Sequence, residues 1–193
     1  MKVKSHPKNK DIVLLTPQKF NDERGYFTEI YRKNFFDSLP PIWYKAEGDI
    51  TKKSWPPQND FVQDNLVVSK KNVVRGLHFQ KNHPQGKFVR CISGTILDVV
   101  VDLRPHCETY RQWISVELSE ENGVSLWVPE GFAHGYSVLS DEAVVLYKCT
   151  DVWHPGDEGG IIWNDDTLNI DWGVSEEDAI ISDKDLELNK LGE

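Results

Sequence analysis

The sequence predicts an all-β protein in which short strands form a barrel or a sandwich. Many short segments are rich in Val, Ile and aromatic residues, and each is bounded by Gly, Pro, Asn or Asp. These segments recur at even spacing along most of the 193 residues, whereas signals for helices are sparse. Evenly spaced strands with few helices are typical of a β-barrel or a two-sheet sandwich.

The predicted strands share this composition and follow one another from the amino-terminal region to residue 163. In chain order they are 11–15, 65–69, 87–92, 95–103, 112–118, 125–128, 143–150 and 160–163. In the strand 95–103, apolar Leu97, Val99 and Val101 alternate with Asp98 and Asp102. One face of this strand is therefore expected in a core, and the other is expected to border a cavity or solvent.

Helices are predicted only at the periphery. One short helix is expected within 32–39, and one or two more within 176–191. The stretch 43–60 contains Trp-Pro-Pro at 55–57 and is predicted to be an inserted loop, because consecutive prolines cannot join a central strand. The length suits one domain spanning 1–193.

Charge and composition exclude several classes of function. The chain carries 22 Lys and Arg against 31 Asp and Glu, a net charge of −9, so nucleic acid is not an expected partner. The polar N-terminus does not resemble a signal peptide, and no segment reaches the ~20 apolar residues of a membrane span, so a cytoplasmic protein is expected. Cys91, Cys107 and Cys149 have no CxxC spacing and are predicted to be buried apolar residues rather than a disulfide or zinc framework.

A first candidate site is the segment Arg-Gly-Leu-His-Phe-Gln at 75–80, which Lys87 follows after a turn. Strict alternation would place Arg75 and His78 on opposite faces of a strand. If both serve one pocket, the strand must bulge, and Gly76 is the expected position of the bulge. Taken alone, the segment suits a surface arginine and a buried, hydrogen-bonded histidine better than a site.

A second candidate is the pattern G-x5-P-x-G-x2-H, which runs from Gly123 to His134. It resembles the second motif of the cupin superfamily, whose fold is a double-stranded β-helix, or jelly-roll barrel. Metal-binding cupins have an Asn four residues after this His, where Val138 stands here, and a His-x-His pair where His78-x-Gln80 stands. Metal sites need three or more protein ligands, so a cupin barrel without its metal is predicted.

A third candidate, Tyr147, would on its own be read as a core tyrosine. Together with the other motifs, however, it closely resembles the dTDP-4-dehydrorhamnose 3,5-epimerase family, from about residue 14 to about residue 185. The motifs that carry the resemblance are Arg24-Gly25-x-Phe27-x-Glu29, Gln63-Asp64-Asn65, the segment 75–80, Lys87, Pro-Glu-Gly-Phe-Ala-His-Gly at 129–135, Tyr147 and the segment 158–165. The family inverts the carbons on both sides of the keto group of a nucleotide-linked 4-keto-6-deoxyhexose, as a step towards L-rhamnose for cell-surface polysaccharides.

The resemblance implies a role for each reacting group. His78 matches the general base, and Asp185, with Asp183 as the nearby alternative, matches the carboxylate that orients it. Tyr147 matches the acid on the opposite face of the sugar. Three further catalytic positions surround the enolate, with a cation next to its oxygen: Lys87, Arg75 and a supporting His134. No metal, nicotinamide or flavin is implied.

The resemblance also implies a substrate-binding set shared between two chains. Its members are Arg24, Phe27, Glu29, Gln63, Asn65, Trp153 and Glu158. The guanidinium group of Arg24 suits binding to a diphosphate. Phe27 and Glu29 match residues that contact the thymine of the partner subunit's nucleotide, because the N-terminal strands within 1–40 are exchanged between the two chains. A homodimer is therefore expected. Trp153 stands where a tyrosine is common, so it keeps an aromatic surface and loses a phenolic hydroxyl.

Several alternatives remain open from the sequence. The stretch between Glu29 and Gln63 is longer than is typical of the family, so an enzyme that inverts only C3 or only C5, on a dTDP-, CDP- or GDP-linked sugar, is the first alternative. A metal-dependent cupin would need His78, His83 and His134 to converge on one ion. A non-catalytic sugar-binding module is the last alternative. Such a module would not need an acid and a base on opposite faces of a sugar ring.

Overall fold

The computed structural model describes residues 1–37, 42–45, 51–55 and 60–192, and it confirms the all-β prediction. Most of the strands form two antiparallel sheets. The strands are β1 (Lys2–Ser5), β2 (Val13–Thr16), β3 (Lys19–Asp22), β4 (Gly25–Thr28), β5 (Ile42–Lys45), β6 (Thr51–Trp55), β7 (Gln63–Lys70), β8 (Val74–Gln80), β9 (Lys87–Ser93), β10 (Thr95–Asp102), β11 (Trp113–Ser119), β12 (Ser125–Val128), β13 (Phe132–Val138), β14 (Glu142–Cys149) and β15 (Glu158–Gly160). Two short helices, α1 (Lys33–Asp37) and α2 (Asp183–Leu186), complete the described structure.

The two main sheets form the predicted jelly-roll barrel. The first sheet has six strands in the order β1-β2-β12-β9-β14-β7, and the second has five in the order β11-β10-β13-β8-β15. From β7 to β15 the chain passes back and forth between the sheets, with one exception, the hairpin of β10 and β11. This alternation winds the two sheets around a shared interior.

The main core lies between the sheets, and a second one covers the outer face of the second sheet. The core between the sheets includes Val89 and Val145 of the first sheet and Val100 of the second. Val99, the neighbour of Val100 on β10, packs instead with Trp172 of the C-terminal segment. Successive residues of a strand point to opposite faces, so β10 is buried on both faces.

The polar positions of β10 do not face solvent. Asp98 is 0% exposed and Asp102 is 1% exposed, so the expectation that the polar face borders solvent is wrong. Asp98 instead hydrogen-bonds to His134, and it is His134 that lines a cavity.

Three local predictions from the sequence need correction. The stretch 43–60 is not simply a loop, because β5 and β6 pair there as a separate antiparallel sheet, while residues 46–50 and 56–59 lie outside the described part. Prolines prevent pairing only at their own positions, and both strands precede Pro56. The last strand is Glu158–Gly160 rather than 160–163, and Trp113 rather than Gln112 begins the strand predicted at 112–118. The prediction of one or two helices within 176–191 is confirmed by α2. Within the described residues, neither helix has the length and apolar composition needed to cross a membrane.

The N-terminal strands behave in two ways. β1 and β2 extend the first sheet, where β2 pairs with β12 of the same chain. β3 and β4 form a separate hairpin, on which the side chains of Phe20, Tyr26 and Phe27 are exposed. The hairpin is therefore the N-terminal element that presents uncovered aromatic surface.

Candidate active site

The predicted bulge in β8 places Arg75 and His78 in the same cavity. His78 lies opposite His134 on β13, and Arg75 lies opposite Tyr136, so three steps along β8 match two steps along β13. Gly76 occupies the irregular position with φ +105°, which favours glycine. A Cβ at Gly76 would lie 2.7 Å from the carbonyl oxygen of His134, so a larger residue could not maintain this close approach.

His78 forms a close pair with Asp185. The Nε2 atom of His78 lies 2.7 Å from Oδ1 of Asp185, and the backbone N–H of Gly76 donates to Oδ2 of the same carboxylate at 3.1 Å. Ser182 caps α2 by accepting a hydrogen bond from the backbone N–H of Asp185. Burial opposes ionisation of Asp185, but the hydrogen bond and charge of His78, together with the hydrogen bonds from Gly76 and Ser182, outweigh it and lower the pKa of Asp185. Asp185, rather than Asp183, is therefore the carboxylate that contacts the histidine.

Tyr147 and Lys87 reach the same cavity from the first sheet. Tyr147 lies on β14 and Lys87 on β9, where it pairs with Cys149 of β14. Burial raises the pKa of Tyr147 to about 12, so its phenol keeps its proton at neutral pH. Burial lowers the pKa of Lys87, which forms no ion pair with any described residue. The site thus combines a protonated phenol with a lysine whose charged form is disfavoured by burial.

The cavity has two lobes, which share His78, Lys87 and Tyr147. Each lobe has a volume of about 320 Å³. We call one the arginine lobe; its lining includes Arg75, His134, Tyr136, Lys184 and Asp185. We call the other the glutamine lobe; its lining includes Gln63, Asn65, Gln80, Gln85, Trp153 and Glu158. The candidate base and acid therefore lie where the lobes meet, and they approach from opposite sheets.

His134 is held by a carboxylate that sequence reasoning missed. Its Nε2 atom lies 3.0 and 2.9 Å from the two carboxylate oxygens of Asp98, which is fully buried. Burial raises the pKa of Asp98 despite the attraction of His134. The signal in the sequence was an aspartate within a strand of valines.

Hydrogen bonds organise the rim of the glutamine lobe. The side-chain oxygen of Gln63 accepts from the backbone N–H of Trp153 at 2.8 Å, and its amide nitrogen donates to Asn65 at 3.0 Å. Glu158 forms a 2.7 Å ion pair with Lys184, and this hydrogen bond is the main cause that lowers the pKa of Glu158. Trp153 remains 52% exposed, so it presents an aromatic face that is available for stacking.

His83 lies apart from the other two histidines of the metal hypothesis. Its ring stacks on His154 at 3.9 Å between centroids, and its Nδ1 atom lies 3.1 Å from Asp157. It lines neither lobe, so the convergence of His78, His83 and His134 on one ion is wrong. Across residues 1–37, 42–45, 51–55 and 60–192, no group of three or more His, Cys, Asp or Glu side chains is arranged to hold a metal ion.

Three of the predicted substrate-binding residues do not reach the cavity of their own chain. The Arg24 side chain is 84% exposed and pairs with Asp22, and Phe27 is 69% exposed. Glu29 pairs with Arg32 at 3.1 Å. All three lie on or next to the β3–β4 hairpin, whereas Gln63, Asn65, Trp153 and Glu158 line the glutamine lobe.

Fold and cavity together define a jelly-roll barrel whose cavity holds side chains suited to acid–base chemistry. The chain belongs to the dTDP-4-dehydrorhamnose 3,5-epimerase family, because the model of that family matches residues 8–193. The family predicted from the sequence motifs is therefore confirmed.

Characterised relatives and solved structures agree with this assignment. The chain is 43% identical to the dTDP-4-dehydrorhamnose 3,5-epimerase of Methanothermobacter thermautotrophicus, over 94% of this chain and 90% of the relative. It is 46% identical to the enzyme of the same description from Salmonella typhimurium, over 86% and 83%. A crystal structure of the dTDP-6-deoxy-D-glucose-3,5-epimerase of Legionella pneumophila, in complex with dTDP-4-keto-L-rhamnose, matches with a TM-score of 0.86 at 36% identity, over 98% of this chain and 92% of that one.

Proposed function

We propose that this enzyme inverts C3 and C5 of a dTDP-linked 4-keto-6-deoxyhexose and thereby converts dTDP-4-dehydro-6-deoxy-D-glucose to dTDP-4-dehydro-L-rhamnose. The observation that carries the proposal is the arrangement of His78 and Tyr147, which approach one cavity from opposite sheets with Lys87 beside them. Inversion requires a base on one face of a ring and an acid on the other. The names of the relatives supply the substrate.

In the proposed mechanism, His78 removes the proton from a carbon next to the keto group. The electrons of the broken C–H bond move into an enolate, whose negative charge develops on the C4 oxygen. Asp185 then stabilises the imidazolium that forms, because it contacts Nε2 of His78 at 2.7 Å. Lys87 supplies the positive charge near the enolate oxygen, and a single such preorganised group is typically worth ~3–4 kcal/mol.

Tyr147 completes the inversion by delivering a proton to the opposite face of the same carbon. Its pKa of about 12 keeps the phenol protonated until the enolate forms. Exchange with solvent then removes the proton from His78 and returns one to Tyr147, and the second carbon reacts in the same way. Every step moves a proton, so the mechanism needs no metal, nicotinamide or flavin.

The nucleotide site is proposed to be completed by a second chain in a homodimer. Arg24, Phe27 and Glu29 lie away from their own cavity, as expected if the β3–β4 hairpin serves the partner's site. The exposed aromatic surface of the hairpin, and the exposed Leu66 and Val68 on the edge strand β7, suit burial between two chains.

Incubation of the enzyme with dTDP-4-keto-6-deoxyglucose in D₂O tests the proposed function. We expect deuterium at both C3 and C5 and a product with the L-rhamno configuration. Deuterium at one carbon would instead support a C3-only or C5-only epimerase. Parallel reactions with CDP- and GDP-linked sugars would show whether the enzyme prefers a nucleotide other than dTDP. If deuterium entered neither carbon in any of these sugars, the proposed function would be contradicted.

A further inference from the structure

The arginine lobe contains a second phenol that the proposed mechanism does not use. Tyr136 lies on β13 of the second sheet, opposite Arg75 on β8 and Asp98 on β10. Its side chain is 4% exposed, extends between the sheets and lines the lobe next to Tyr147. A buried hydroxyl needs hydrogen-bond partners, so the partners of Tyr136 show what its proton can contact.

The hydroxyl of Tyr136 lies 3.4 Å from the hydroxyl of Ser69 on β7. Ser69 is 4% exposed, and its oxygen accepts a 3.0 Å hydrogen bond from Nε of Arg75. A guanidinium group can only donate, so the Ser69 oxygen must act as the acceptor in that contact. The Ser69 oxygen has a second lone pair, so either hydroxyl can donate in the contact with Tyr136, which at 3.4 Å is longer than an ordinary O–H···O hydrogen bond.

A contact of this length leaves the proton of Tyr136 without a close acceptor among the described residues. The Arg75 side chain also lies near the phenol, where its positive charge acts against the effect of burial on the pKa of Tyr136. A guanidinium group offers no acceptor, so an oxygen of a ligand in the lobe is the partner that the Tyr136 proton lacks. Burial raises the pKa of Tyr136, so this proton is retained at neutral pH.

We propose that Tyr136 is a further substrate-binding residue, whose hydroxyl donates a hydrogen bond to an oxygen of the hexose bound in the arginine lobe. Ser69 and Arg75 are the residues that position this hydroxyl. The inference rests on the proposed function, because it assumes that the cavity binds a nucleotide-linked hexose.

Calorimetric titration with dTDP and with dTDP-glucose, a stable dTDP-hexose, tests the proposal. The variant Tyr136→Phe removes one hydroxyl and keeps the ring. We expect its Kd for dTDP-glucose to rise roughly fivefold to tenfold, the usual effect of losing one hydrogen bond, with the Kd for dTDP unchanged. Ser69→Ala should also raise the Kd for dTDP-glucose, because the phenol loses a partner that orients it.

Tyr110→Phe is the matched control, because Tyr110 lies outside both lobes, and it should bind both ligands as the unmodified enzyme does. Unchanged affinity of Tyr136→Phe for dTDP-glucose would overturn the inference. An equal loss of affinity for dTDP and dTDP-glucose would also overturn it, because it would show a structural role. If the unmodified enzyme epimerises neither carbon in D₂O while the selective loss persists, the proposed function fails and the hexose contact stands.

Discussion

Nε2 of His78 lies 2.7 Å from Oδ1 of Asp185, although 107 positions separate the two residues in the chain. β8 supplies the histidine, and α2 supplies the carboxylate. The second oxygen of Asp185 accepts from the backbone N–H of Gly76, so one carboxylate orients the imidazole and secures the bulge that turns it into the cavity. Loss of this carboxylate should therefore affect the reaction more than the fold.

Asp185→Asn should lower kcat by about 10²- to 10⁴-fold, because an amide cannot stabilise the imidazolium and has one acceptor oxygen for two donors. The measurement is the initial rate of epimerisation, with dTDP affinity as a check on the integrity of the site. Asp183→Asn, two positions away on the same helix, is the matched control and should keep most of the activity. Equal losses in both variants would contradict the assignment of Asp185.

Tyr147→Phe should separate proton removal from inversion. His78 can still remove a ring proton and return solvent deuterium to the same face, whereas no acid remains on the opposite face. We expect substantial deuterium in recovered substrate, with product formation at least about tenfold slower than in the unmodified enzyme. Unchanged turnover would show that another group is the acid, and Tyr136→Phe in the same assay would test the other phenol of the arginine lobe.

Complementation between inactive chains should reveal a site shared by two subunits. If Arg24 serves the partner's cavity, co-expressed His78→Ala and Arg24→Ala chains form mixed dimers with one intact site. Random pairing then predicts about one quarter of the unmodified activity, while each variant alone has little. Activity no greater than the sum of the separate variants would contradict the exchange of the hairpin.

Asp157 should contribute to the stability of the fold at acid pH. Burial opposes its ionisation, but hydrogen bonds from Asn82 and His83 lower the pKa of Asp157 to about 2. A carboxyl group in the unfolded chain has a pKa near ~3.9, so this stabilisation is complete above that pH and is lost as the pH falls towards about 2. Urea unfolding should show a shallower decline over this range in Asp157→Asn than in the unmodified protein. The exposed Asp141→Asn is the control, and a decline in Asp157→Asn as steep as in that control would contradict the role of Asp157.

Much of the fold followed from local patterns in the sequence. Alternation along β10 predicted a strand with two different faces. The three-residue spacing of Arg75 and His78, which a regular strand would place on opposite faces, predicted the bulge at Gly76. The hairpin of β5 and β6 was missed because the prolines that follow it suggested a loop. Such signals are local, so they predict where strands and turns occur better than they predict which strands pair.

The site could be assembled from the sequence only through its family resemblance. Nothing in residues 75–80 indicates that Asp185 will meet His78, because the contact depends on the path of the whole C-terminal segment. Tyr136 had the pattern of a core position, and only the register of β13 with its neighbours places it beside Arg75 at the cavity. Asp98 was visible as a polar residue in a strand, but nothing in the sequence indicated that it would pair with His134. Polar residues that face the interior of a barrel lie within strands of mostly apolar residues, so the sequence pattern alone does not reveal their role.

The most direct test of the central claim is exchange of ring hydrogens by His78→Ala in D₂O. The unmodified enzyme should place deuterium at C3 and C5 of dTDP-4-keto-6-deoxyglucose, as followed by NMR and mass spectrometry. His78→Ala should bind dTDP normally and catalyse no exchange at either carbon, because the base is missing. Exchange by His78→Ala at the rate of the unmodified enzyme would contradict the assignment of His78 as the base opposite Tyr147.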